Sequence, residues 1–187
     1  MSSKFYRILD DGELAGRWWL KSANEPGGNP VDPELFGEGR FLSIRTPLTI
    51  SIRYKGEPLD WTFADFDMPV VSKRTAALLR NICGDDLQSF AATIDGYDGD
   101  FEVLNFLKVI RCLDEKKSDV MFWKEGDGRP DKVGQYRQVA NMRIDSSQIS
   151  DANIFRIAGW EIALIVSERI RHSLVEYKTS GVRFVEV

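Results

Sequence analysis

The side chains able to do chemistry in this chain are few, and they stand apart. His172 is the only histidine among 187 residues, and a Ser–His–acid relay cannot be assembled without it. It lies in a charged helical stretch beside Arg171, the setting of a surface or packing residue rather than a general base. Ser72 and Ser167 would be the nucleophiles for acyl transfer, but neither sits in a G-x-S-x-G elbow. Each opens a helix instead, where a cap explains the hydroxyl. Cys83 and Cys112 are the only cysteines. They lack C-x-x-C spacing, which argues against a zinc site or a disulfide frame, and their apolar neighbours mark both as buried, reduced thiols.

Two glycine-bearing stretches invite a ligand and fail on spacing. Asp95-Gly96-Tyr97-Asp98-Gly99-Asp100 has acids at its first, fourth and sixth positions, whereas a calcium loop needs oxygens at the first, third and fifth and a distant bidentate Glu. A hairpin turn explains it better. Gly126-Asp127-Gly128 is followed by no Lys-Ser or Lys-Thr, so it is no phosphate loop. The residues therefore assign no catalytic group, no metal ligand and no cofactor. They favour a binding protein over an enzyme, with a hydrolase using paired carboxylates left as a formal alternative.

Charge distribution says more than the total of −4. From Gly56 to Leu107 there are ten acidic residues against three basic ones, a net of −7, which leaves +3 for the rest. No Lys or Arg falls between Asn81 and Leu107. Such a stretch repels nucleic acid and attracts a basic partner; the plainer explanation is a solvated face. Asp95, Asp98, Asp100 and Glu102 are its candidate contact residues. Trp123 and Arg129, flanking or inside a polar loop, are a second pair, because exposed Trp and Arg side chains often dominate binding energy. Apolar residues make up 43% of the chain and no run reaches the roughly 20 residues a bilayer requires. Met1 to Asp10 lacks a signal-peptide core. A cytoplasmic protein with no membrane partner is the expectation.

The elements that must position these residues suggest one α+β domain over residues 1–187, with a mixed or antiparallel sheet. Residues 1–60 hold five of the seven prolines and are expected to be irregular, with short strands at Lys4–Leu9, Arg17–Leu20 and Leu48–Ile52 around a loop from Asn24 to Gly39. Pro69-Val70-Val71 is extended. Ser72 then caps a helix with Thr75, Leu78, Leu79 and Ile82 on one face, and Gly84 ends it. Strands follow at Leu87–Ile94 and Phe101–Leu113. Lys124 to Gly134 is a polar loop, and a strand follows from Gln135 to Ile144. A turn, or a short helix started by Asp145 or Ser146, over Asp145–Asn153 leads to a second unit: strand Ile162–Val166, cap Ser167, helical face Ile170, Leu174 and Tyr177, Gly181, final strand Val182–Val187. Ile165-Val166-Ser167-x-Arg169 lines up with Val70-Val71-Ser72-x-Arg74, so the chain carries two similar strand–capped helix–strand units.

Several of these pieces also carry a resemblance. Pro69-Val70-Val71-Ser72, Asn105, Cys112-Leu113-Asp114 with Ser118, Ile154-Phe155-Arg156, and Ile165-Val166-Ser167-Glu168 ahead of Gly181-Val182-Arg183-Phe184 together resemble the immunity-protein family eleven of bacterial polymorphic-toxin systems, once a domain of unknown function. Arg111 stands where that family often has an acid. The likeness covers residues 68–187; residues 1–60 carry no part of it. It implies a non-enzymatic inhibitor that binds one cognate protein toxin and has no catalytic residues to transfer. A regulatory module, or an adaptor that holds an effector, is the alternative. The sequence is silent on oligomeric state.

Overall fold

The computed structural model describes residues 4–187; of the stretch Met1–Asp10 considered above, residues 1–3 lie outside it. The chain opens with β1 (Phe5–Asp10), β2 (Trp19–Asn24) and β3 (Leu48–Tyr54). It continues through β4 (Trp61–Ala64), β5 (Met68–Ser72), helix α1 (Lys73–Cys83), β6 (Leu87–Ile94) and β7 (Tyr97–Phe106). The last part holds β8 (Val109–Ile110), β9 (Asp119–Phe122), β10 (Tyr136–Ala140), β11 (Ile154–Ile157), β12 (Trp160–Ser167), helix α2 (Glu168–Glu176) and β13 (Val182–Glu186). The result is a single α+β domain of mixed sheets.

Six strands in the order β2-β3-β6-β7-β5-β4 curl into a nearly closed barrel. Its two edges meet where the Trp18 indole N–H donates to Thr62 Oγ1 at 2.8 Å and Ser22 donates to Asp65. Five strands in the order β13-β1-β12-β11-β8 form a second sheet, and β9 and β10 pair as a separate ribbon. Strand alternation distributes the apolar side chains into three cores, because successive residues face opposite sides. Val70 and Val103 fill the barrel with Leu48, Ile50 and Met68. Their neighbours Val71 and Leu104 face outward and pack with Ile8, Leu164, Leu79 and Leu174 between barrel, second sheet and both helices. Phe155 and Ile165, one residue out of phase with Ile154 and Leu164, pack on the far face with Cys112, Val139 and Met142.

The repeated unit is real at the level of topology. In the first copy β5 and β6 both pair antiparallel with β7, which lies between them. In the second, β12 and β13 both pair antiparallel with β1. Each is a strand–helix–strand crossover split by one reversed strand. The strand that fills the gap follows the first crossover but comes from the other end of the chain in the second.

Several expectations need correction. The three short strands expected within residues 1–60 are present as β1, β2 and β3, but β2 is shifted, running Trp19–Asn24 instead of Arg17–Leu20. Their partners are remote, with Tyr6 opposite Val166 and Glu186, so local pattern carried little of this. The strand expected over Phe101–Leu113 breaks at Leu107, whose N–H donates to Asp86 O, while Lys108 O accepts from Arg156 in the other sheet. The chain changes sheets there. Ser72 stands before α1 but makes no side-chain cap; its hydroxyl donates to Asp60 Oδ1 at 2.9 Å. Ser167 does accept from Ile170 N, at 3.4 Å. The buried face of α1 is also rotated from expectation, to Thr75, Ala76, Leu79 and Cys83, with Leu78 and Ile82 half-buried.

Gly181 shows how tightly the second unit meets the barrel. Its φ is +93° and a Cβ there would fall 2.2 Å from Trp61 O, while Trp61 N–H donates to Ser180 O at 3.1 Å. Gly181→Ala is therefore expected to destabilise the fold by about 1–3 kcal/mol or more, the range for forcing a side chain into such a conformation, read as a lower urea midpoint.

Candidate recognition surface around Phe66

The most unusual backbone in the molecule lies at the turn between β4 and β5. Phe66 and Asp67 both have positive φ, 56° and 54°. For a non-glycine residue this left-handed region costs roughly 1–2 kcal/mol, and two in succession need surroundings that enforce them. Phe66 is also 61% exposed. A strained turn thus holds an aromatic ring in solvent.

Arg156 does the enforcing. Its side chain is almost wholly buried. It donates from Nη2 to Asp67 O at 2.8 Å and from Nη1 to Glu161 O at 2.6 Å. Burial pushes its pKa down to about 10, opposed by the nearby Asp67 and Glu161 carboxylates, so the guanidinium stays charged at neutral pH. Burial raises the Asp67 carboxyl, with Arg156 and Arg7 opposing the rise. One side chain of the second sheet thereby fixes the barrel's turn and the start of β12 in one piece.

Phe66 stands between two recesses. The larger, of about 620 Å³, runs between the Pro33–Gly37 turn, the β10 start and the β12 start, with Val109, Tyr136, Trp160 and Ile162 among its walls. Its charged residues are Glu34, Glu38 and Glu161 against Lys132. The smaller, of about 310 Å³, has Trp19, Leu20 and Phe63 with Asp10, Asp65 and Asp67 against Arg53. Some of these charges are already paired: Glu38 with Arg40, Asp65 with Arg53, Asp10 with Arg17. The Tyr136 phenol is pushed up to about 12 by burial and by its hydrogen bond to Glu115. Gly159 sits close by; a Cβ there would meet the Tyr136 ring at 3.0 Å.

The residues singled out from sequence fall in two places. Asp95, Asp98, Asp100 and Glu102 lie at and beyond the β6–β7 turn. Asp100 is paired with Lys73 at 3.1 Å, and half-buried Glu102 is paired with Arg80. Asp95 accepts from Ser51 Oγ at 2.7 Å. Among the described residues, only Asp95 and Asp98 of the four lack an ion-pair partner. Asp60, from the same acidic segment, is paired with Arg74. These three pairs use the segment's own three cations and leave its −7 in place; Arg53 on Asp65 and Lys108 on Asp86 are cations brought from outside it. Trp123 lies under Arg137, whose guanidinium carbon is 4.7 Å from the ring centroid. Arg129 pairs with Asp131 and feels Glu34 electrostatically. Its loop reaches the larger recess through Lys132 and Gln135. No hydrogen bond or ion pair among the described residues joins the two groups. Sequence reasoning missed Phe66 altogether, since nothing in the local pattern marks a left-handed phenylalanine.

The chemistry-bearing side chains remain scattered. His172 is exposed on α2 and pairs with Glu176 at 3.3 Å. Burial pushes the Cys83 thiol up to about 12 and the Cys112 thiol up to about 11. Among the described residues no three His, Cys, Asp or Glu side chains converge as a metal site requires, and no helix is long and apolar enough to cross a membrane. The most connected carboxylate, Asp60, is a structural cross-link. It accepts from Ser72 Oγ at 2.9 Å, Arg74 Nε at 2.7 Å and Ser180 N at 3.1 Å, joining both repeated units. Burial would raise its pKa, but the hydrogen bonds from Arg74, Ser180 and Ser72 outweigh this and bring it to about 2.

Residues 26–187 match the model of the Immunity protein family (Imm11), and the chain belongs to that family. The match begins well before the pieces that carried the resemblance, and so takes in β3, β4 and the Phe66 turn. No curated protein matches the chain.

Two outcomes follow from this geometry. Arg156→Ala leaves Asp67 without its buried counter-charge and two carbonyls without donors, and is expected to cost about 3–5 kcal/mol by urea unfolding. Asp60 has a folded pKa below its ordinary 3.8, so its stabilisation is complete above about pH 4 and is lost as the pH falls through about 2. Asp60→Asn should lower stability at neutral pH and flatten the stability profile across that acid window.

Proposed function

We propose that this immunity protein neutralises one cognate bacterial protein toxin by binding it in the cytoplasm of the cell that makes it, with no catalysis of its own. Membership of the family over residues 26–187 is the observation that carries this. The scattered placement of His172, Ser72, Ser167 and the buried cysteines supports it, because nucleophilic chemistry needs base and nucleophile within hydrogen-bond reach. So does an exposed surface with aromatic and acidic character. Acidic recesses suit a basic protein and repel nucleic acid and anionic lipid.

The β6–β7 turn fits a steering role. Asp95 and Asp98 have no cation of their own and can attract a basic toxin at long range, which raises the association rate more than it lengthens residence. The test is to co-express this protein with the toxin encoded beside it, and to measure survival and binding rates. Wild type should protect and bind. Changing both Asp95→Lys and Asp98→Lys should slow association roughly two- to tenfold at low salt and weaken its salt dependence, with dissociation little changed. Equal association rates at every salt concentration would reduce that turn to a solvated face. Failure of wild type to bind or protect would sink the immunity role itself.

A further inference from the structure

We propose that the toxin docks on Phe66 and the two recesses beside it, and that the part seated there is a basic segment carrying an apolar side chain. This rests on the toxin-binding role above. The observations come from different levels of the structure. Phe66 is a large ring, 61% exposed, on a backbone that disfavours any side chain at all. Buried aromatic anchors supply most of the energy in many interfaces, and Phe66 is free to become one. It lines both recesses, so a partner that covers the ring meets both.

Charge selects the occupant. Of the six carboxylates among the recess walls, Glu38, Asp65 and Asp10 are paired with Arg40, Arg53 and Arg17, and Asp67 faces Arg156. This leaves Glu34 and Glu161 of the larger recess against Lys132. A basic segment complements that balance and a nucleic acid opposes it. A second copy of this chain fits poorly, because a two-fold contact places the same patch on itself and would bring the Glu34 and Glu161 carboxylates of both copies together. The walls are also preset. Arg156 ties the Phe66 turn to Glu161 through two carbonyls, so little ordering cost remains at the moment of binding.

The experiment uses the full chain and the purified toxin polypeptide encoded beside it. Phe66→Gly removes the ring and suits the left-handed backbone; Phe66→Asn also tolerates that region and removes the ring differently. Both should unfold in urea at or above the wild-type midpoint while raising Kd at least tenfold. Glu34→Lys should slow association and flatten its dependence on salt. If wild type binds the toxin and either folded Phe66 variant binds within twofold of it, the toxin docks elsewhere and only this inference falls. A Phe66-dependent dimer of the free chain would make the surface a self-association site and overturn it as well. If wild type does not bind, the toxin-binding role fails and takes this inference with it.

Discussion

The buried guanidinium of Arg156 is the contact on which the arrangement turns. Taking a charge out of water costs several kcal/mol unless it is well partnered. Here the partners are Asp67 O, Glu161 O and the Asp67 carboxylate, drawn from both sheets. None of them lies on the strand that carries Arg156. An apolar residue could fill the same volume, but it would give no reason for the barrel's turn to sit at one height against β12. The charge makes that register specific, and in doing so it holds Phe66 and Asp67 in a conformation they would otherwise leave. Strain at the surface is stabilised from below.

Around that contact the fold is built twice from one plan. The order β5-β7-β6 and the order β12-β1-β13 are the same split crossover, and α1 and α2 cover the same middle core. What differs is the origin of the central strand. In the first unit it is the next strand along, joined by a short hairpin; in the second it is β1, from the beginning of the chain. The second unit therefore closes only when the first residues find the last, and Asp60, Ser180 and Gly181 are the places where the two units lock.

Legibility in the sequence followed the range of the interaction. Helix α1 and helix α2, their opening serines and the glycine behind α1 were readable because period, cap and C-terminal glycine act within one turn of helix. Helix α2 ends instead on a left-handed Lys178, and Gly181 lies beyond it. The strand Leu87–Ile94 was readable too, because alternation along a strand is equally local. The pairing of β1 was not, since Tyr6 meets Val166 and Glu186. The hydroxyl of Ser72 was misassigned because Asp60, twelve residues earlier, competes for it. The acidic segment read as a field of charge, yet Arg53 and Lys108, from outside it, fold onto its Asp65 and Asp86. Arg156 was visible as part of a motif, but its role was not, because its acceptor at Asp67 lies 89 residues away. For the candidate surface, the polar loop carrying Arg129 was anticipated and Phe66 was not.

This division bears on how such a protein can be specific. The pieces that carry the family likeness are mostly internal. Val70, Val71, Asn105, Cys112, Phe155, Arg156, Ile165, Val166 and Gly181 are buried, and Ser167 caps a helix. Asn105 spends its side-chain amide on Arg40 O and Gln88 Oε1, and Asp114 accepts from the backbone of Lys116 and Lys117. A change at any of them is felt first as lost packing or an unpaired buried group. Phe66, Glu34 and Ile162 are exposed on a frame those residues hold rigid. If the proposed toxin-binding role holds, discrimination between one toxin and its relatives is a difference of affinities. It is easiest to adjust where a side chain can change without loss of the fold, which is the situation of the Phe66 surface and of no buried motif residue.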